Sequence, residues 1–149
     1  MIILGSDHAG YELKEKIKEL LDRWNYDYID VSPEFITDDD YTDVVETICK
    51  KMNVSSDKAI MVCGTGIGSC IMANKYKGVR AAICYDEYTA KFTRLHNDAN
   101  MLCLGGRTTV AKNNELLESI VKTFLDTEFS KEERHARRLE KIKRVEEGN

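Results

Sequence analysis

Lys58-Ala59-Ile60-Met61-Val62-Cys63-Gly64-Thr65-Gly66-Ile67-Gly68-Ser69-Cys70 is an apolar run that empties into a loop with glycine at every second position. Uninterrupted apolar residues stopped by such a loop read as a strand buried on both faces. The stretch from about Ser69 to Tyr76 reads as the helix that follows, ended by Gly78. Gly64, Gly66 and Gly68 let the backbone come close to a ligand and turn its amide N–H groups inward, and the helix adds the positive end of its dipole. A loop of this kind binds anions. Cys63 stands at its mouth, where the field of a helix N-terminus favours a thiolate. It is either a small apolar strand end or a pre-activated base or nucleophile.

The loop is neither of two familiar nucleotide cradles. Ser69 occupies the position where a dinucleotide fingerprint needs its third glycine, and no Gly-Lys-Ser/Thr follows as a triphosphate loop requires.

Outward from this stretch, strand and helix alternate in both directions. Ile2 to Gly5 is a short buried-type strand. After Ser6-Asp7-His8-Ala9-Gly10 comes a helix with Leu13, Ile17, Leu20, Leu21 and Trp24 at helical spacing. Tyr26 to Val31 is a second strand, closed by Ser32 and Pro33, and the acidic loop Asp38-Asp39-Asp40 leads into a helix whose inner face carries Val44, Val45, Ile48, Cys49 and Met52. Beyond Gly78, Val79 to Cys84 is the fourth strand. Asp86 is a good N-cap for a helix with Tyr88, Phe92 and Leu95 on one side, ending at His96-Asn97-Asp98. Met101 to Leu104 is the fifth strand, followed by Gly105-Gly106-Arg107 and a helix carrying Leu116, Leu117, Ile120, Val121, Phe124 and Leu125. A last helix over about 131–147 has only Leu139, Ile142 and Val145 as an apolar strip, which predicts docking onto something larger.

Five apolar strands each followed by a helix predict an α/β domain, a doubly wound five-stranded parallel sheet with a C-terminal helical arm, formed by residues 1–149 together. In the strand order 2-1-3-4-5 the switch point lies between the first and third strands, and ligands bind beyond their carboxyl ends. Asp7, His8 and the loop from Cys63 to Gly68 would meet there. His8 and His96 each read either as ordinary loop or helix-end polar groups or as members of that site. Arg134 and Arg138 lie one helical turn apart on one face, about 6 Å along the axis. That is either a solvated, salt-bridged face or a phosphate clamp.

Composition excludes much else. The net charge of −4 argues against general nucleic-acid binding, and the basic residues after Glu133 are interleaved with glutamates as in a helix. Cysteines at 49, 63, 70, 84 and 103 are odd in number and form no Cys-x-x-Cys pair, so neither a disulfide framework nor a zinc site is indicated. Cys49, Cys84 and Cys103 read as small core residues. The start of the chain lacks the length and charge of a signal segment, and no apolar run is long enough to span a bilayer, so a cytoplasmic setting without membrane partners is expected.

Taken together, Ser6-Asp7-His8-Ala9-Gly10, Cys63 to Gly68, Ala73-Asn74-Lys75, Gly78 to Ala82, His96-Asn97-Asp98-Ala99-Asn100 and Arg134-His135 give a chain that resembles the type B ribose-5-phosphate isomerase family, with its allose- and galactose-6-phosphate isomerase relatives. The resemblance covers nearly the whole chain. It implies a Rossmann-like three-layer α/β/α sandwich, a homodimer or dimer of dimers with sites shared between subunits, and no metal or cofactor. The implied reaction interconverts ribose 5-phosphate and ribulose 5-phosphate through a cis-enediolate. Cys63 matches the family's base, Thr65 and the N–H groups of Gly64, Gly66 and Gly68 the enediolate site, His96 the ring-opening residue, Asn97 a sugar contact and Asp7 the partner of the sugar hydroxyls. His8, Arg107, Arg134 and Arg138 match the phosphate site, with Arg107 and the terminal-helix arginines expected from across the dimer. Where some members carry a glutamate as base after the last loop glycine, this chain has Ser69, which leaves Cys63 as the candidate. Thr42 stands where the family often has proline, and Glu132-Glu133 where a glycine pair precedes Arg-His. The alternatives within the resemblance are isomerisation of allose 6-phosphate or galactose 6-phosphate, and a sugar-phosphate binding module without catalysis.

Overall fold

The computed structural model describes residues 1–148. Along the chain run Ile2–Ser6 (β1), Tyr11–Arg23 (α1), Tyr28–Asp30 (β2), Tyr41–Lys51 (α2), Lys58–Cys63 (β3), Ile67–Ala73 (α3), Ala81–Ile83 (β4), Glu87–Asn97 (α4), Met101–Gly105 (β5), Asn114–Asp126 (α5) and Glu133–Glu146 (α6), with one 3-10 turn, Thr109–Lys112, before α5. The doubly wound five-stranded parallel α/β sheet expected from the strand–helix alternation is present. Its order is β2-β1-β3-β5-β4, so the last two strands are exchanged relative to the expected order.

Burial explains the exchange. Every residue of β5 is buried and suits an interior position, whereas β4 has three residues, ends on the 36% exposed Ile83 and makes a short edge. β1 and β3 remain neighbours, so the crevice at their carboxyl ends survives. The register aligns Ser6 with Val62 and Cys63 with Gly105, which brings the ends of β1, β3 and β5 to one level.

Side chains alternate across the sheet with the period of two that strands impose. Leu4, Ile60, Val62, Leu102 and Leu104 face the layer containing Leu13, Ile17 and Leu21 of α1 with Ile120 and Phe124 of α5. Ile3, Met61, Cys63, Met101 and Cys103 face the other layer, with Val45 and Ile48 of α2 and Ala73 of α3. Cys63 is thus anchored under α2 and α3.

Local boundaries differ where backbone geometry overrides composition. α3 begins at Ile67 rather than Ser69, because Gly66 adopts a left-handed φ of 81° and lets the chain turn directly into the helix. In α4 the face carrying Tyr88, Phe92 and Leu95 is not the inner one. The residues it buries are Ala90 and Arg94, and Tyr88 is 69% exposed. Arg94 lies in the interior because its guanidinium donates to the carbonyls of Thr127 and Ala99 and to Asp98. A second buried cation, Lys14 of α1, is held by Asp30 at 2.8 Å and by the Ser32 carbonyl, which fixes the exit of β2 against the helix.

After β5 the chain doubles back so closely that a Cβ on Gly106 would sit 2.2 Å from the Ala9 carbonyl oxygen. The atoms it would meet, Ala9 O and C and Gly10 Cα, are all backbone and cannot swing aside. Gly106→Ala is expected to lower stability by about 1–3 kcal/mol, read as a fall of several degrees in Tm.

Candidate active site

The crevice is built from three strand ends. Cys63 is the last residue of β3 and is 3% exposed. Its Sγ accepts the Gly66 N–H at 3.2 Å and lies 3.3 Å from Ser69 Oγ, which itself donates to the Gly66 carbonyl at 3.1 Å. Thr65 Oγ1 accepts the Ile67 N–H at 3.2 Å. A Cβ on Gly68 would lie 2.6 Å from Cζ of Tyr41, so only glycine lets the loop pass under that ring. Tyr41 opens α2 and covers one side of the loop.

The loop leaving β5 is tied to the glycine loop by two bonds. Gly106 N–H donates to the Cys63 carbonyl at 2.7 Å, and Arg107 N–H to the Gly64 carbonyl at 2.9 Å. This sets the Arg107 side chain over Gly64, with Cδ and Nη1 3.8 Å from the position a Cβ would take there. Arg107 thus lies beside the glycine loop of its own chain, whereas the resemblance implied a place across a dimer.

Asp7 follows β1, and its N–H donates to the Val62 carbonyl at 3.2 Å, while its Oδ1 accepts the Gly10 N–H at 3.0 Å. Burial pushes its pKa up, partly offset by the Gly10 bond. His8 pairs with Asp39, whose Oδ1 accepts both the His8 backbone N–H at 2.7 Å and ring Nδ1–H at 2.9 Å. That hydrogen bond raises the His8 pKa, outweighing the cost of desolvation.

Asp7, His8, Cys63, Gly64, Thr65, Gly66, Gly68 and Arg107 thus lie together at the carboxyl edge formed by β1, β3 and β5. His96, Asn97, Arg134 and Arg138 do not join them within one chain. α4 starts at the carboxyl edge of the sheet and runs back, so His96 and Asn97 end beside the start of β5, where Asn97 and Asp98 carbonyls accept Arg80 Nε at 3.0 Å. The length of β5, roughly 13 Å at strand rise, separates the two edges. At the far edge the His96 ring lies 4.2 Å from that of His135, the buried anchor of α6, and Phe92 and Tyr88 continue the stack outward at 4.8 and 4.4 Å. Burial, with His96 and Arg134 nearby, lowers the His135 pKa. Arg134 is exposed and paired with Glu132 at 2.9 Å, and Arg138 is exposed on the same helix.

Sequence reasoning missed four participants. Ser69 on the thiol, Tyr41 on Gly68, Asp39 on His8 and His135 on His96 all depend on tertiary contacts. The i, i+4, i+8 spacing of Tyr88, Phe92 and His96 was a readable signal for the aromatic stripe. The remaining thiols fit their reading as core groups: burial pushes Cys49 up to about 11 and Cys84 up to about 12, and Cys103 is also raised. Cys70 is the exception, lowered to about 7 by its hydrogen bond with Cys103. Among the described residues no cluster of His, Cys, Asp or Glu is arranged to hold a metal ion, and no helix is long and apolar enough to cross a membrane.

Fold and crevice define an α/β protein with a thiol and a row of backbone donors at a topological switch point, the equipment of a sugar-phosphate isomerase. Residues 2–142 match the model of the ribose/galactose isomerase family. The chain is 41% identical to ribose-5-phosphate isomerase B of Clostridium thermocellum, with a TM-score of 0.90 and coverage of 99% of this chain and 97% of that one. It is 39% identical to ribose-5-phosphate isomerase B of Mycoplasma genitalium, solved with bound ribulose 5-phosphate, at a TM-score of 0.89 over 99% and 97% of the two chains. A galactose-6-phosphate isomerase subunit, LacA 2 of Streptococcus pyogenes, is 37% identical over 86% of this chain and 87% of its own length. The chain belongs to the ribose/galactose isomerase family.

Proposed function

We propose that the chain interconverts ribose 5-phosphate and ribulose 5-phosphate, with Cys63 as the base that moves a proton between carbons 2 and 1. The observation that carries this is the Cys63 sulfur at the end of β3, held by the Gly66 N–H beside a loop rich in backbone donors. Proton removal from carbon 2 of the open-chain aldose leaves an enediolate. Its oxygen is stabilised by the amides of the Gly64 to Gly68 loop that are not engaged by Cys63 Sγ or Thr65 Oγ1, which are fixed before the charge develops. Asp7 orients the sugar hydroxyls. His8 and Arg107 take the phosphate, and arginine's planar fork suits it to paired bonds with phosphate oxygens.

Ring opening needs His96, with Asn97 beside the sugar, and these stand at the far edge of the sheet. The working unit is accordingly a homodimer, or a dimer of dimers, in which a second copy lays its His96 edge and its Arg134 and Arg138 across the Cys63 crevice. Exposed Tyr88, Ile142 and Val145 supply apolar surface for such a contact. Five free cysteines fit a reducing, cytoplasmic setting.

A panel of ribose 5-phosphate, allose 6-phosphate and galactose 6-phosphate compared by kcat/KM tests the reading. Ribose 5-phosphate is expected to lead by at least about 10-fold, the discrimination one additional carbon imposes in a closed site. Preference for a hexose phosphate would favour the second reading, for which the likeness to LacA 2 speaks. Tight binding of all three without conversion would point to a binding module.

A further inference from the structure

We propose that Asp39 is a positioning residue that makes His8 a phosphate ligand only while the imidazole is charged. The inference rests on the assignment of His8 to the phosphate. One carboxylate oxygen of Asp39 receives both the backbone N–H of His8 at 2.7 Å and its ring Nδ1 at 2.9 Å. A carboxylate has no proton to give, so Nδ1 must carry one. The neutral ring is then fixed in the tautomer whose Nε2 is a bare lone pair.

Phosphate oxygens of a bound sugar phosphate are acceptors, so this neutral ring repels them. The imidazolium, with Nε2–H as well, donates to them. Without Asp39, neutral His8 would be free to take the other tautomer and donate from Nε2 without a charge. Asp39 therefore removes the uncharged way of binding and at the same time favours the charged one.

The surroundings fit this role. Asp39 is 18% exposed and His8 30% exposed, so the carboxylate is the more sheltered of the pair while part of the ring stays open to a ligand. The charged groups facing His8 are Asp39, from the loop before α2, and Asp7, at the end of β1. The cation of the same crevice is Arg107. Of the three consecutive aspartates, Asp39 is the one whose side chain has a hydrogen-bond partner among the described residues, and the left-handed turn at Asp38, φ 59°, precedes it directly. Two carboxylates beside a phosphate would oppose binding. Asp39 escapes that cost because its charge is matched by the imidazolium it holds.

The test is Asp39→Asn, read in two ways. NMR titration of the His8 ring in substrate-free protein should show its midpoint fall by about 1 pH unit. KM for ribose 5-phosphate, which in the unaltered protein rises with pH as His8 loses its proton, should begin its rise at a correspondingly lower pH and climb less steeply, because the neutral ring released from Asp39 can donate from Nε2, with kcat at the acidic end unchanged. Ionisation of the substrate phosphate is common to both proteins and cancels in the comparison. In a His8→Gln background, Asp39→Asn should leave KM unaltered. A His8 midpoint that does not move overturns the proposal. A midpoint that falls while the KM profiles superimpose overturns the claim that this charge binds phosphate. Absence of turnover in the unaltered protein would instead reject the isomerase assignment, and the titration would still decide the pairing.

Discussion

Cys63→Ala is expected to reduce kcat for ribose 5-phosphate isomerisation by about 10²–10⁴-fold, the range contributed by a positioned general base. The change removes the one group at the end of β3 that can take a proton from carbon 2, and leaves the Gly66 N–H without its acceptor. Arg107 and His8 lie on other loops, and the bonds that tie the Arg107 loop to β3 run through the backbone carbonyls of Cys63 and Gly64, which the change leaves in place, so affinity for inorganic phosphate, measured by calorimetry, should remain within about 2-fold. Cys63→Ser separates basicity from packing. A hydroxyl fills the buried position with little change in volume but is a far weaker acid than a thiol, so it should fold normally and lose activity nearly as fully. Near-normal turnover in either variant would remove the thiol from the mechanism.

His96→Asn is expected to be equally damaging with ribose 5-phosphate, since the cyclic sugar would no longer be opened. The informative result is the mixture. Cys63→Ala and His96→Asn proteins, each inactive, should regain about one quarter of the unaltered activity when unfolded together and refolded. Random pairing makes half of the dimers mixed, and each mixed dimer has one of its two sites free of both changes. The basis is the geometry of α4, which carries His96 away from Cys63 to the opposite edge of the sheet. No recovery, with both variants dimeric by light scattering, would show that Cys63 and His96 do not meet across an interface.

Much of this was legible in the sequence for specific reasons. β3 and its glycine loop could be read because five apolar residues stopped by three alternating glycines leave few other conformations. Asp7 and His8 could be assigned to the same crevice because parallel strands adjacent at a switch point must end together. The order of β4 and β5 could not be read, since both are short apolar runs and only packing decides which takes the interior. Nothing in the sequence marks Arg94 and Lys14 as interior cations, because the carbonyls and carboxylates that draw them inside come from distant segments. The Asp39 contact with His8 spans 31 positions. The aspartate run marks the loop, but which of its carboxylates reaches the ring depends on the backbone path there, which includes a left-handed residue at Asp38.

The far-edge position of His96 has a consequence for the rate law. If Cys63 is the base and His96 the ring opener, as proposed, an isolated chain would hold the one without the other, and turnover per chain would reflect the fraction assembled. Below the dissociation constant of the dimer, the rate should rise with the square of chain concentration, and serial dilution should silence the protein before it unfolds. Catalysis would then serve as its own gauge of assembly, withheld from newly made or damaged chains until a second intact copy is at hand.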